Sequence, residues 1–61
     1  MKIYHLKFKI NGQWIKRIRN STDMETCLNQ AKIDIQNEFG NQWSGGIAIC
    51  GPQIDGYFYN F

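Results

Sequence analysis

Met24, Cys27, Leu28, Ala31, Ile35 and Phe39 recur at intervals of three and four residues. That spacing places all six on one stripe of an α-helix, with polar residues over the rest of its circumference. No other stretch of the chain carries a helical period. A fold with one amphipathic helix must find its second layer in β-structure, because a lone stripe has to be buried against something. The segment Thr22–Phe39 carries its own end signals. Thr22 and Glu25 fit a capping box, Asp23 and Glu25 put negative charge at the positive end of the helix dipole, and Gly40 can take the left-handed cap.

The flanking sequence supplies strands. Met1–Ile10 alternates, with Tyr4, Leu6, Phe8 and Ile10 on one side and Ile3, His5, Lys7 and Lys9 on the other. Asn11-Gly12 is a hairpin signal, and Gln13–Asn20 alternates again. Beyond the helix, Gly40–Gly46 reads as a loop containing Trp43 and Ile47–Cys50 as a short apolar strand. Gly51-Pro52 breaks that strand, Asp55-Gly56 is a second turn signal, and Tyr57–Phe61 reads as an aromatic strand. The expectation is an α+β fold, ββαββ. It is a single domain over residues 1–61, with a four-stranded antiparallel sheet in the order 2-1-3-4 and the helix on one face.

The length of the hairpin loop decides what the open face carries. A two-residue turn would pair Phe8 with Ile15 and Leu6 with Arg17, setting arginines beside the apolar row. An odd loop, with Gly12 as a left-handed bulge residue, pairs Phe8 with Trp14 and Tyr4 with Ile18. It also gathers Lys7, Lys9, Arg17 and Arg19 on one surface with His5 and Ile15 among them. Lys16 would then snorkel from the apolar side. The cleaner separation of apolar from charged residues favours the odd loop. The tail admits two registers: Phe58 under the helix with Tyr57, Tyr59 and Phe61 outside, or the reverse, and core burial of the three favours the second.

Sixty-one residues bury only about 60% of the unfolded surface and leave no room for a deep cleft. The single His, the two separated cysteines and the acids strung along the helix form neither a catalytic pair nor a metal-ligand spacing. The expectation is therefore no catalysis, no metal and no cofactor. Cys27 and Cys50 read as reduced thiols. No run reaches the roughly 20 apolar residues of a membrane span, and the reading is a cytoplasmic protein with no membrane partner. The net charge of +2 conceals a division: Lys2, Lys7, Lys9, Lys16, Arg17 and Arg19 precede residue 21 without an acid, and all five acids follow it. A positive face without compensating acids attracts phosphates or acidic protein surface. Ile33 lies opposite the apolar stripe among uncharged Thr26, Asn29, Gln30, Gln36 and Asn37, a candidate contact for a partner.

Lys9-Ile10-Asn11-Gly12-Gln13-Trp14 opening a hairpin, a capped helix ending Asn37-Glu38-Phe39-Gly40 and a short apolar strand resemble the layout of small stand-alone ββαβ proteins of phages and mobile elements, anti-CRISPR proteins among them. The outline is also similar to some small ribosomal proteins. The likeness covers most of the chain but is one of layout, so it assigns no residue a role. It implies non-catalytic binding: an inhibitor occupying the nucleic-acid path of a host defence complex. The high acidity of DNA mimics is absent. The sequence thus points first to a protein that binds a host protein or nucleoprotein complex through Lys7, Lys9, Arg17 and Arg19, with His5, Ile15 and Ile33 as further contacts. The alternatives are direct RNA or DNA binding by the same face with Tyr57 and Tyr59, and self-association into a homodimer through the helix exterior or an open sheet edge.

Overall fold

Asn11 and Gly12 both adopt positive φ, 51° and 82°, which is the backbone of a two-residue turn matched to strand twist. The turn fixes the first hairpin in a computed structural model that describes residues 1–61. Strand β1 (Lys2–Ile10) pairs antiparallel with β2 (Gln13–Ser21), and Phe8 stands opposite Ile15, Leu6 opposite Arg17 and Tyr4 opposite Arg19. Helix α1 (Met24–Phe39) follows, then a 3-10 turn over Gly40–Gln42, β3 (Gly46–Gly51) and β4 (Ile54–Asn60). The four strands form one antiparallel sheet in the order β2-β1-β3-β4, with α1 on one face, the α+β architecture expected. No helix is long and apolar enough to cross a membrane.

The core lies between α1 and the inner face of β1 and β3. Tyr4, Leu6, Phe8 and Ile10 alternate into it from β1, Ile47 and Ile49 from β3, and Cys27, Leu28, Ala31 and Ile35 from the helix. Met24 and Phe39 close the two ends of the helical stripe, so all six stripe residues face inward. Trp43 completes the core and donates its indole N–H to the Gly46 carbonyl, 3.0 Å away. The helix begins one residue later than the capping-box reading. Asp23 is the N-cap, its carboxylate accepting the Thr26 amide at 2.8 Å, and Thr22 stands outside. A carboxylate both accepts that hydrogen bond and complements the helix dipole, an advantage a threonine hydroxyl lacks. Gly40 ends the helix at φ 60°, its amide donating to the Gln36 carbonyl.

The hairpin register overturns the odd-loop reading. Ile15, Arg17 and Arg19 lie on the helix side of the sheet, and Trp14, Lys16 and Ile18 on the open side. The physical reason lies in how β2 seals the edge of the core. The Arg17 guanidinium sits 5.6 Å from the ring centroids of both Phe8 and Phe39, and its two terminal nitrogens meet the Glu38 carboxylate at 2.6 and 2.8 Å. Arg19 pairs with Asp34. Two strand residues apart is about 7 Å, and four helix residues apart is about 6 Å. The i, i+2 arginines and the i, i+4 acids therefore match. The long stems cover apolar surface; the Arg17 charge stays at the rim, whereas Arg19 turns Nη1 into the interior without a hydrogen-bond partner.

The second hairpin also turns where the sequence reading had only a strand break. Pro52 and Gln53 make the connection, and Gln53 takes φ 66°. Asp55-Gly56 lies instead in the register irregularity opposite Cys50. Tyr57 and Tyr59 pair with Ile49 and Ile47 and so face the helix side, and Phe58 pairs with Ala48 on the open side. A left-handed conformation strains a residue with a Cβ, so Gln53→Gly should raise unfolding stability by about 0.5–1 kcal/mol in denaturant titration; no gain would show that the turn is unstrained.

The acid dependence of stability has two sources. The Thr26 amide holds the Asp23 carboxyl below its ordinary 3.8, and the hydrogen bond from Arg17 holds Glu38 below its ordinary 4.5. Both folded values are depressed, so their contribution is complete above those ordinary values and is lost as pH falls through the lower folded ones. Thermal melts should show this loss below about pH 4.5, and Asp23→Asn with Glu38→Gln should lower stability at neutral pH while flattening the acid slope. An unchanged slope would place the acid sensitivity elsewhere.

Candidate binding face on the open side of the sheet

Alternation in β1 sends Ile3, His5, Lys7 and Lys9 to the side away from the helix, and the tight turn adds Trp14, Lys16 and Ile18 from β2. From β3 come Ala48 and Cys50, and from β4 Phe58. One row crosses the whole sheet: Lys16, Lys7, Ala48, Phe58. The next carries Ile18, His5 and Cys50, and Trp14 stands opposite Lys9. The Lys9 ammonium lies 5.2 Å from the Trp14 ring centroid, a cation–π contact that holds the indole in place.

Large apolar groups are left uncovered on this face. Ile18 is 69% exposed, Phe58 56%, Trp14 55% and Ile3 54%. Phe58 lies across the backbone of Gly46, where a built Cβ would come within 2.6 Å of the ring. Only a glycine lets the ring rest there, its outer face turned to solvent. Lys7 and Lys16 stand directly opposite each other, an arrangement that costs stability on a sheet. Four of the five acids belong to α1 or its cap, on the other side. The fifth, Asp55, lines a shallow depression of about 230 Å³ with His5, Lys7 and Cys50.

The structure brings together His5, Lys7 and Lys9 from the expected contact set and separates the others. Arg17, Arg19 and Ile15 are on the helix side, the arginines engaged by Glu38 and Asp34 and Ile15 packed against the core. Ile33 is half exposed on the outer surface of α1, on the opposite side of the molecule from the lysines. Tyr57 and Tyr59 face the helix side and line a groove beside α1, and Tyr57 also borders the depression at His5 and Lys7. Trp14, Lys16 and Ile18 were missed, and Phe58 lies outside as the favoured tail register has it but was not among the expected contacts. The signal for the first three was the Asn-Gly dipeptide itself, whose preferred two-residue turn dictates their side. No group of three or more His, Cys, Asp or Glu side chains is placed to hold a metal ion.

The two thiols differ sharply in setting. Cys27 is buried in the core, which pushes its thiol above the ordinary value, and Cys50 is half-buried on the open face. A maleimide reagent should label Cys50 in the folded protein and Cys27 only as fast as the chain unfolds; equal labelling rates would contradict the placement of the helical stripe. Comparison with protein-family models, with curated proteins and with solved structures finds no match for this chain.

Proposed function

We propose that the protein is a non-catalytic binding module that holds a single-stranded nucleic acid on the open face of its sheet. One observation carries this reading: Lys7 and Lys16 oppose each other across adjacent strands, with Lys9 beside them, between the half-exposed rings of Trp14 and Phe58. Opposed lysines weaken a sheet, and neither has an acid partner within it. They are explained by a ligand that supplies the missing negative charge. Phosphates supply charge and bases supply flat faces, so a single strand engages the amines and the rings together. A duplex hides its bases and would use only the amines. His5 adds a donor in the same row as Cys50, and Ile18 flanks it.

A second reading, an inhibitor that occupies the nucleic-acid path of a host nuclease complex, is favoured by Ile3 and Ile18. Their aliphatic side chains offer no stacking surface yet are as exposed as the rings. Acidic protein surface with an apolar centre would satisfy the same face. Both readings use Lys7, Lys9, Lys16 and Trp14, and neither uses Arg17 or Arg19.

Trp14 provides the assay, because Trp43 is buried and remote from titrant. Single-stranded oligonucleotides should quench Trp14 fluorescence, with a log–log salt slope near −2 for about three phosphate contacts. Changing Lys7, Lys9 and Lys16 to Gln should abolish binding, and Trp14→Ala or Phe58→Ala should each weaken it by about 1–3 kcal/mol. Arg17→Gln should leave affinity unchanged in protein that remains folded. Absence of binding at low salt would overturn the first reading. A bacterial-lysate pull-down that recovers a nuclease complex with wild type and loses it with Ile18→Glu would then favour the second.

A further inference from the structure

The sheet ends in two edges of opposite character. The β2 edge carries Lys16, Arg17 and Arg19, so a second copy brought against it would set cation against cation. The β4 edge, Ile54–Asn60, carries one charge, Asp55 at its start, and is aromatic and neutral from Tyr57 onward. Asp55 and the irregularity beside it guard only its start, and nothing from Tyr57 to Asn60 discourages pairing. The helix lies over β1 and β2, which leaves a groove of about 320 Å³ between α1 and β4. Tyr57, Tyr59 and Phe61 line it and remain 46%, 39% and 39% exposed although they face the helix side.

The hydrogen-bond phase of β4 is fixed by its last bond. The Phe61 amide donates inward to the Gly45 carbonyl at 2.7 Å. Antiparallel alternation then turns the amides of Tyr59 and Tyr57 inward as well, and it turns the amide and carbonyl of Phe58 and Asn60 outward. The outward set is self-complementary about Phe58. A two-fold axis through that residue pairs Phe58 with Phe58, Asn60 with Gly56, and Tyr57 with Tyr59. Such an isologous contact closes on itself and leaves the β4 edge paired.

We propose that β4 is a homodimerisation edge: two copies pair β4 to β4 antiparallel about Phe58, forming one continuous eight-stranded sheet with both helices on the same side. The occupant is a second copy because the edge is uncharged from Tyr57 to Asn60, its outward groups match their own two-fold image, and its aromatic rows meet aromatic rows. Dimerisation doubles the open face into a single surface with both sets of lysines on it. The proposal stands whether or not that face binds nucleic acid.

Sedimentation velocity over a wide concentration range tests it, together with amide hydrogen exchange. Wild type should pass from one chain mass to two, and the amides of Phe58 and Asn60 should become protected as it does. Tyr57→Lys with Tyr59→Lys, or Tyr57→Glu with Tyr59→Glu, should hold each variant monomeric, because the two-fold sets like charges across from each other. An equimolar mixture of the two variants should recover the dimer. Both positions are half exposed, and Asn60→Pro, which removes an outward amide alone, should also abolish dimerisation. A wild type that stays monomeric, a dimer that persists in either charge variant, or protection appearing at β2 amides instead would each overturn the proposal.

Discussion

A two-residue connection at Asn11-Gly12 leaves the first hairpin one register, and side-chain period two carries that register down the full length of both strands. Every later feature inherits it. The turn decides that Trp14, Lys16 and Ile18 face solvent and that Ile15, Arg17 and Arg19 face the helix. It therefore decides which cations are available to a ligand and which are spent on the fold. The helix depends on it too, because the arginines of β2 meet the acids of α1 only in this phase.

The division of charge between the basic hairpin and the acidic helix has two distinct roles. Part of it is structural. Arg17 lies against two aromatic rings and meets Glu38 with both terminal nitrogens, closing the side of a core that has only eleven buried apolar residues. In so small a domain, stability from the core is on the order of 3–5 kcal/mol, so an edge seal is a substantial share. The other part has no acid on the same strands. Lys7, Lys9 and Lys16 make no ion pair, and they stand beside rings the fold leaves uncovered.

The single helix, its apolar stripe, the Gly40 cap, the inward row of β1 and the strand order were all legible in the sequence, because each follows from a strong period or a strong terminator. The hairpin register was misread because charge was sorted by type instead of by partner. Setting arginine beside leucine looks unfavourable until Asp34 and Glu38 are seen at matching spacing on the helix opposite. Local turn chemistry at Asn11-Gly12 was the better guide. Gln53 could not have been foreseen at a left-handed position, since glycine or asparagine is the usual occupant and Gly56 stood nearby. The favoured tail register, with Phe58 outside, is the one observed, but Tyr57, Tyr59 and Phe61 stay 39–46% exposed instead of joining the core.

The off-centre seat of α1 gives the molecule two halves of unequal firmness. β1 and β3 share their inner residues with the helix in one buried cluster, whereas β4 is held by β3 on one side, by Ile54 against the edge of that cluster, and by the tilted contact of Phe61 with Trp43 under Lys32. Cooperative opening should then begin at the C-terminal strand, which can peel from the sheet while the remaining three strands and the helix stay closed. Whatever docks along that strand would tighten the weakest cooperative unit of the fold, so occupancy there and resistance to proteolysis would rise together.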